Sequence, residues 1–131
     1  MVELHGWALI RESYTVDNED ANLAQIVEEL RREINRIDAD DRLIGVNYSN
    51  SEACLIATRC TNHFSEDIAE VIELFETVAR IAPGSYGLLY IRNDEDIARH
   101  NNAFRAYVLS RGSLRLQQDP FLSPCIPMIE D

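Results

Sequence analysis

The stretch VELHGWALIR, residues 2–11, alternates between apolar and polar side chains along most of its length. Such alternation is typical of a β-strand that turns one face toward a core and the other away from it. The predicted core face consists of Val2, Leu4, Ala8 and Ile10. The opposite face consists of Glu3, His5, Trp7 and Arg11. We therefore expect a fold built on a sheet with one covered face.

Two later segments have the period of a helix with one apolar side. In the first, the apolar residues are Leu23, Ile26, Val27, Leu30, Ile34 and Ile37. The second follows Ser65, which is expected to cap it. Its apolar residues are Ile68, Val71, Ile72, Phe75, Val78, Ala79 and Ala82. Pro83-Gly84 then ends the helix. Both helices are predicted to pack on one face of the sheet.

Five further strands are predicted. Residues 42–48 and 52–60 form a hairpin around Ser49-Asn50-Ser51, and the second of these strands is apolar on both faces, which places it inside the sheet. Residues 85–92 form another strand, and residues 103–118 form two strands around a turn at 111–113. The predicted order is β-α-β-β-α-β-β-β. This is an α+β fold with a mainly antiparallel sheet of five to six strands and two long helices packed on one face.

The end of the chain, residues 119–131, contains three of the four prolines and has neither a strand nor a helix period. Proline fixes φ and removes a backbone donor, so this segment is predicted to be an extended strap. Apolar residues make up 46% of the chain and charged residues 27%, which is typical of a globular protein. The pattern shows no linker or repeat, and residues 1–131 are predicted to form a single domain.

The chain carries 23 acidic and 12 basic residues, a formal net charge of −11. This excess argues against nucleic acid and anionic membranes as partners, because both require a basic surface. No apolar run is long enough to span a membrane, and the first residues do not have the pattern of a signal peptide. Three cysteines, Cys54, Cys60 and Cys125, form no disulfide framework. These features predict a cytoplasmic protein.

No catalytic pattern is visible in the sequence. Cys60-Thr61-Asn62-His63 has the spacing of half a zinc site, but no second pair of ligands follows at a suitable distance. We therefore predict no enzyme activity, no metal and no cofactor. Two alternatives stay open: a small metal-dependent or cysteine–histidine enzyme built on Cys60, His63 and His5, and a sensor module that binds a ligand between Trp7 and Tyr107.

The placement of charge indicates possible binding surfaces. The first helix alternates acidic with basic residues, for example Glu28 four positions before Arg32, and so balances its own charge. The second helix carries five acidic residues against Arg80: Glu66, Asp67, Glu70, Glu73 and Glu76. Two acidic loops, residues 38–41 and 94–96, add to this excess. The predicted partner-binding residues are Glu66, Glu70, Glu73, Asp38, Asp40, Asp41, Asp94, Glu95, Asp96 and Trp7.

Trp7 lies on the face opposite the predicted core. It is either covered by the 119–131 strap or left as an exposed interface anchor, since aromatic anchors dominate interface energetics. Covering by the strap is the expected state because tryptophan is well buried on average.

Three blocks of this chain resemble the immunity protein 7 family of bacterial polymorphic toxin systems. They are ELHGWALIRES (residues 3–13), GSYGLLYIRNDED (residues 84–96) and QQDPFLSPCIPMIED (residues 117–131). The resemblance implies a small α+β cytoplasmic protein that binds and neutralises the C-terminal domain of a cognate toxin. It also marks Trp7, the segment 84–87 and the segment 119–121 as signature positions. The negative charge agrees with a partner that has a basic active-site surface, as a nuclease does.

Overall fold

The computed structural model describes residues 1–13, 22–37, 43–97 and 101–125. Its elements follow the predicted order: β1 (Val2–Ile10), α1 (Leu23–Ile37), β2 (Ile44–Ser49), β3 (Glu52–Thr61), α2 (Glu66–Ile81), β4 (Tyr86–Asn93), β5 (Arg105–Ser110) and β6 (Ser113–Gln118). The α+β class, the hairpin and the two late strands are therefore confirmed.

The six strands form one sheet in the order β2-β3-β1-β4-β5-β6, and every neighbouring pair is antiparallel. The first strand of the chain thus lies inside the sheet, between β3 and β4. The interior position predicted for β3 is also confirmed. In such a sheet, residues that are neighbours across strands share one face, so each face can be followed residue by residue.

Both helices cover the face that β1 turns inward. Val2, Leu4, Ala8 and Ile10 are all fully buried, as the alternation predicted. A side chain at Gly6 would meet the ring of Phe75 in α2, which places α2 directly over this strand. The remaining buried residues of the two helices follow the predicted stripes, with Leu74 in addition: Ile26, Val27, Leu30, Ile34, Ile68, Val71, Val78 and Ala79.

The helices run antiparallel to each other. Ile81 at the end of α2 borders the same groove as the first turns of α1. At the other end, Glu70 and Glu73 of α2 lie close enough to Arg36 of α1 to raise its pKa. None of the described helices has the length and apolar character needed to cross a membrane.

Ser65 is the N-cap residue of α2, as predicted, but its hydroxyl makes no capping hydrogen bond. The Ser65 carbonyl instead accepts hydrogen bonds from the Ile68 and Ala69 amides at 3.1 and 3.2 Å. Glu66 and Asp67 lie in the first turn, where negative charge is favourable. The N-cap position of Ser65 is therefore confirmed, while its side chain makes no capping hydrogen bond.

The strap is held at its start by Asp119. The buried Asp119 carboxylate accepts hydrogen bonds from the Phe121 amide (3.2 Å), the Leu122 amide (2.7 Å) and the Ser123 hydroxyl (3.3 Å). The Cys125 amide then donates to the Asn102 carbonyl at 2.9 Å. Residues 119–125 contain neither helix nor strand, and residues 126–131 of the predicted strap lie outside the described part of the chain.

Candidate partner-binding surfaces

The predicted binding residues fall on two opposite sides of the sheet. Residues of β1 with even numbers face α2, as the position of Gly6 against Phe75 shows, so Trp7 faces away from both helices. Glu66, Glu70 and Glu73 belong to α2 and lie on the helical side. The third predicted cluster, Asp38, Asp40 and Asp41, lies outside the described residues. The structure therefore does not bring Trp7 and the helical carboxylates together.

Two of the acidic clusters are linked through His63, and we call the two clusters together the acidic edge. Its members are Glu66, Glu70 and Glu73 of α2 and Asp94, Glu95 and Asp96 of the turn after β4. His63, three residues before α2 begins, holds its ring Nδ1 at 2.9 Å from the Glu95 carboxylate. This contact ties the start of the helix to the turn. Sequence separation hid the pairing, because the two partners are 32 positions apart in the chain.

Part of the charge on the acidic edge is compensated within the chain. The amino group of Met1 donates to the Asp94 carboxylate at 2.5 Å, and this hydrogen bond lowers the pKa of Asp94. Arg36 donates to Glu33 at 2.9 Å, and its pKa is raised first by that bond and further by the charges of Glu70 and Glu73. The sequence predicted only Arg80 as a basic partner on α2, since it could not show that α1 places Arg36 nearby.

The expectation that α1 balances its own charge agrees with two ion pairs on its surface. Arg31 contacts Glu28 at 3.4 Å, and Arg36 contacts Glu33, each pair being three residues apart. Glu28 thus pairs with Arg31, whereas the sequence suggested Arg32. A three-residue separation also brings side chains together on a helix surface, so both partners were sterically available.

A small apolar cleft borders the acidic edge. It has a volume of about 140 Å³ and lies between the start of α2 and the helical side of β4, β5 and β6. Its apolar lining includes Phe64, Ile72 and Leu116, while Asp96 and Arg105 provide charge at its wall. Phe64 is exposed, so the cleft opens to the surface. Asp96 of the acidic edge therefore borders an apolar recess, which could anchor an inserted side chain of a partner.

The opposite side of the sheet, which we call the open face, carries a row of apolar side chains. Cross-strand pairing places six residues in line across the sheet: Gly45, Ile56, Trp7, Leu88, Val108 and Arg115. Trp7 is 47% exposed and Ile56 is 53% exposed. Tyr86 meets Trp7 edge to face, with ring centroids 6.3 Å apart. These rings present a contiguous aromatic and aliphatic surface.

The expectation that the strap covers Trp7 was wrong. The three bonds to Asp119 turn residues 119–123 back, and the Ser123 hydroxyl accepts the Phe104 amide at 2.9 Å. Phe104 in turn packs edge to face on Tyr90, with centroids 5.9 Å apart. Tyr90 lies beside His5 rather than Trp7 in the register. The described part of the strap is therefore anchored on the same face, beside the neighbouring row that contains His5 and Tyr90.

The residues of the alternative enzyme hypothesis are separated into different contacts. His5 places its ring nitrogens 3.1 Å from the Thr58 hydroxyl and 3.0 Å from the Glu3 carboxylate, while His63 contacts Glu95. Cys60, the thiol of that hypothesis, is exposed and lies opposite Glu3 in the register of β1 and β3. Within residues 1–13, 22–37, 43–97 and 101–125, no group of three or more His, Cys, Asp or Glu side chains is arranged to hold a metal ion.

The alternative sensor site between Trp7 and Tyr107 was also wrong. Tyr107 is the cross-strand neighbour of Leu89, and Leu89 lies on the helical side, where its side chain meets the position of Gly6. Because residues directly opposite each other in neighbouring strands point to the same face of the sheet, Tyr107 lies on that side as well. The sheet itself therefore lies between the two aromatic rings.

The signature positions of the resemblance have clear structural roles. A side chain at Gly87 would overlap the Trp7 carbonyl, and one at Gly84 would overlap the backbone of Ser13. Between them, the buried Ser85 accepts a hydrogen bond from the Arg11 amide at 3.0 Å and returns one to its carbonyl at 3.4 Å. The segment 84–87 thus joins the start of β4 to β1 with no space for larger residues.

Comparison with known proteins gives one family. The model of the family described as Immunity protein 7 matches residues 1–131, the whole chain. Among curated proteins no match was found. The search of solved structures likewise gave no match.

Proposed function

This chain belongs to the immunity protein 7 family, and we propose that it protects the cytoplasm of its cell by binding a cognate toxin domain and blocking that domain without catalysing a reaction. The acidic edge is the observation that carries this proposal. It contains six carboxylates, and one of them, Asp96, borders the apolar cleft. The partner that fits such a surface is a C-terminal toxin domain with a basic active site, of the kind that a nuclease uses to hold phosphates.

Electrostatic complementarity would act mainly on the rate of capture. Opposite fields steer two proteins toward each other and raise association rates by one to three orders of magnitude at low salt. A fast rate suits an inhibitor that must reach its toxin before the toxin reaches its substrate. Slow release would come from desolvated contacts, and the cleft lined by Phe64 and Ile72 offers a place for an aliphatic or aromatic side chain of the toxin.

The test uses a candidate toxin domain taken from the reading frames next to that of this chain, and a pair of charge-neutralising substitutions, Glu70→Gln with Glu73→Gln. The matched control is Glu28→Gln with Glu29→Gln, two exposed residues near the other end of the helix pair. Both variants lose the same net charge, so a difference between them reports the location of the contact. We expect the first pair to lower the association rate about tenfold at low salt and to flatten its salt dependence.

A second variant, Asp94→Asn with Asp96→Asn, should have a smaller effect on the rate, because the Met1 amino group already compensates Asp94. Co-expression with the toxin domain should restore growth for the original chain. Equal rate losses in the test and control variants would place the contact elsewhere. Failure to restore growth would contradict the function itself.

A further inference from the structure

We propose that the open face of the sheet is a self-association surface whose occupant is a second copy of this chain. The acidic edge lies on the helical side, so this surface is separate from the one proposed for the toxin. The open face contains the row from Gly45 to Arg115, with Ile56 and Trp7 each about half exposed at its centre. Exposed apolar surface of this extent is typical of a protein contact site.

Charge balance identifies the occupant. The acidic and basic strand residues on the open face are equal in number: Glu3 and Glu52 against Arg92 and Arg115. Glu3 and Arg92 also neutralise each other directly at 3.8 Å. The formal net charge of −11 therefore resides on the rest of the chain. Two copies repel each other through every acidic surface, whereas their open faces meet without that cost.

The same balance disfavours a basic partner on this face. A cationic toxin surface gains nothing from a neutral, aromatic sheet, while it gains from the acidic edge on the other side. A two-fold contact between open faces is self-complementary, because Trp7 and Ile56 of one copy meet the same kind of surface on the other. Sheets packed face to face lie about 10 Å apart, a distance that side chains of this size fill.

The size of the face suits a weak dimer, because its projected area lies below that of a standard interface. Six strands about 4.8 Å apart and about six residues long at 3.3 Å per residue span roughly 29 by 20 Å, or about 580 Å² in projection before side-chain relief. A standard interface buries about 800 Å² of accessible surface on each partner. Packing of this kind leaves both acidic edges directed outward, where each can contact its own toxin domain.

The test measures mass and fluorescence of the full chain without any toxin. Sedimentation and light scattering should give twice the chain mass of 15.0 kDa at high concentration and a lower average on dilution. Trp7 is the only tryptophan, so its emission should shift to shorter wavelength as the concentration rises. Ile56→Glu, which places a like charge on each copy at the centre of the contact, should raise the dissociation constant about 30-fold or more, as loss of a hot spot does.

Tyr48→Glu is the matched control. Tyr48 is 49% exposed, and its replacement by glutamate adds the same charge as Ile56→Glu. It lies on the helical side of β2, where the Arg31 guanidinium is 5.9 Å from the centre of its ring. This variant should keep the dimer. Circular dichroism of both variants checks that each remains folded, and the concentration series on the original chain gives a result that needs no variant.

Three results would overturn self-association through this face. The first is a mass of one chain and an unshifted Trp7 emission up to about 1 mM, far above the micromolar range of weak standard-size interfaces. The second is a dimer that Ile56→Glu and Tyr48→Glu affect equally. The third is a monomeric chain whose toxin binding is lost in Ile56→Glu, which would assign the open face to the toxin. Because association is measured without toxin, its failure is distinct from failure of the proposed function.

Discussion

The two faces of the six-stranded sheet carry similar apolar residues, but these residues are buried in the core on one face and half exposed on the other. On the helical face, Leu4 and Leu55 are fully buried in a core shared by both helices. On the open face, Trp7 and Ile56 are about half exposed, although they occupy central positions in the same strands. Hydrophobic character alone thus does not separate residues that stabilise this fold from residues available to a partner. The presence of a covering element decides the role.

The largest expected effect compares Phe75→Ala with Trp7→Ala. Phe75 is fully buried under β1, so its truncation leaves a cavity and should lower the free energy of unfolding by about 3–5 kcal/mol. Trp7→Ala loses a half-exposed ring and one edge-to-face contact, and should cost only about 1–2 kcal/mol. Urea unfolding of the two variants at equal low concentration measures both values. Equal losses would mean that the open face contributes to the core as strongly as the helical face.

An intermediate effect is expected at the end of the open face, where the strap begins. Asp119→Ala removes the acceptor of two backbone amides and one hydroxyl, so it should lower the free energy of unfolding by about 1–3 kcal/mol. Asp119→Asn keeps one carbonyl acceptor and should lose less. Hydrogen exchange of the Phe121 and Leu122 amides should speed up in both variants. Unchanged exchange at these two amides would show that the carboxylate does not hold the strap.

The smallest effect concerns the acidic edge on the helical side. The hydrogen bond from the Met1 amino group lowers the pKa of Asp94, so the contact contributes to stability above the ordinary pKa of an aspartate. That contribution is lost as the pH falls through the lowered value. NMR titration of the Asp94 carboxyl should give a pKa below that of the unfolded chain, and acetylation of the amino group should raise it. A pKa that acetylation leaves unchanged would exclude the contact.

The sequence predicted the local features of this fold and missed those that depend on contacts between distant segments. The alternation of residues 2–11 and the two helical stripes follow from the periods of strand and helix, so every element was found. The proximity of Arg36 to Glu70 depends on how two helices meet, and no spacing along the chain encodes it. For the same reason the sequence could not separate Trp7 from Tyr107, which lie in different strands.

The candidate site was predicted in composition and not in arrangement. Asp94 to Asp96 and the start of α2 were both identified as acidic, but only the contact between His63 and Glu95 joins them. The strap over Trp7 was misplaced because proline content indicates an extended chain and says nothing about its path. Asp119 sets that path through bonds to residues two to four positions later.

The acidic edge also bears on how such a protein evolves. Glu66 and Glu73 are exposed and belong to no part of the core, so substitutions there change stability by about 0.5 kcal/mol or less. Gly84 and Gly87 do not tolerate substitution in this way, because any side chain at these positions would overlap the neighbouring backbone. Under the proposed function, mutations that follow a changing toxin can accumulate at the acidic edge one at a time, each with little effect on folding, while Gly84 and Gly87 keep the architecture constant. An inhibitor built in this way can acquire a new specificity through intermediates that all remain folded.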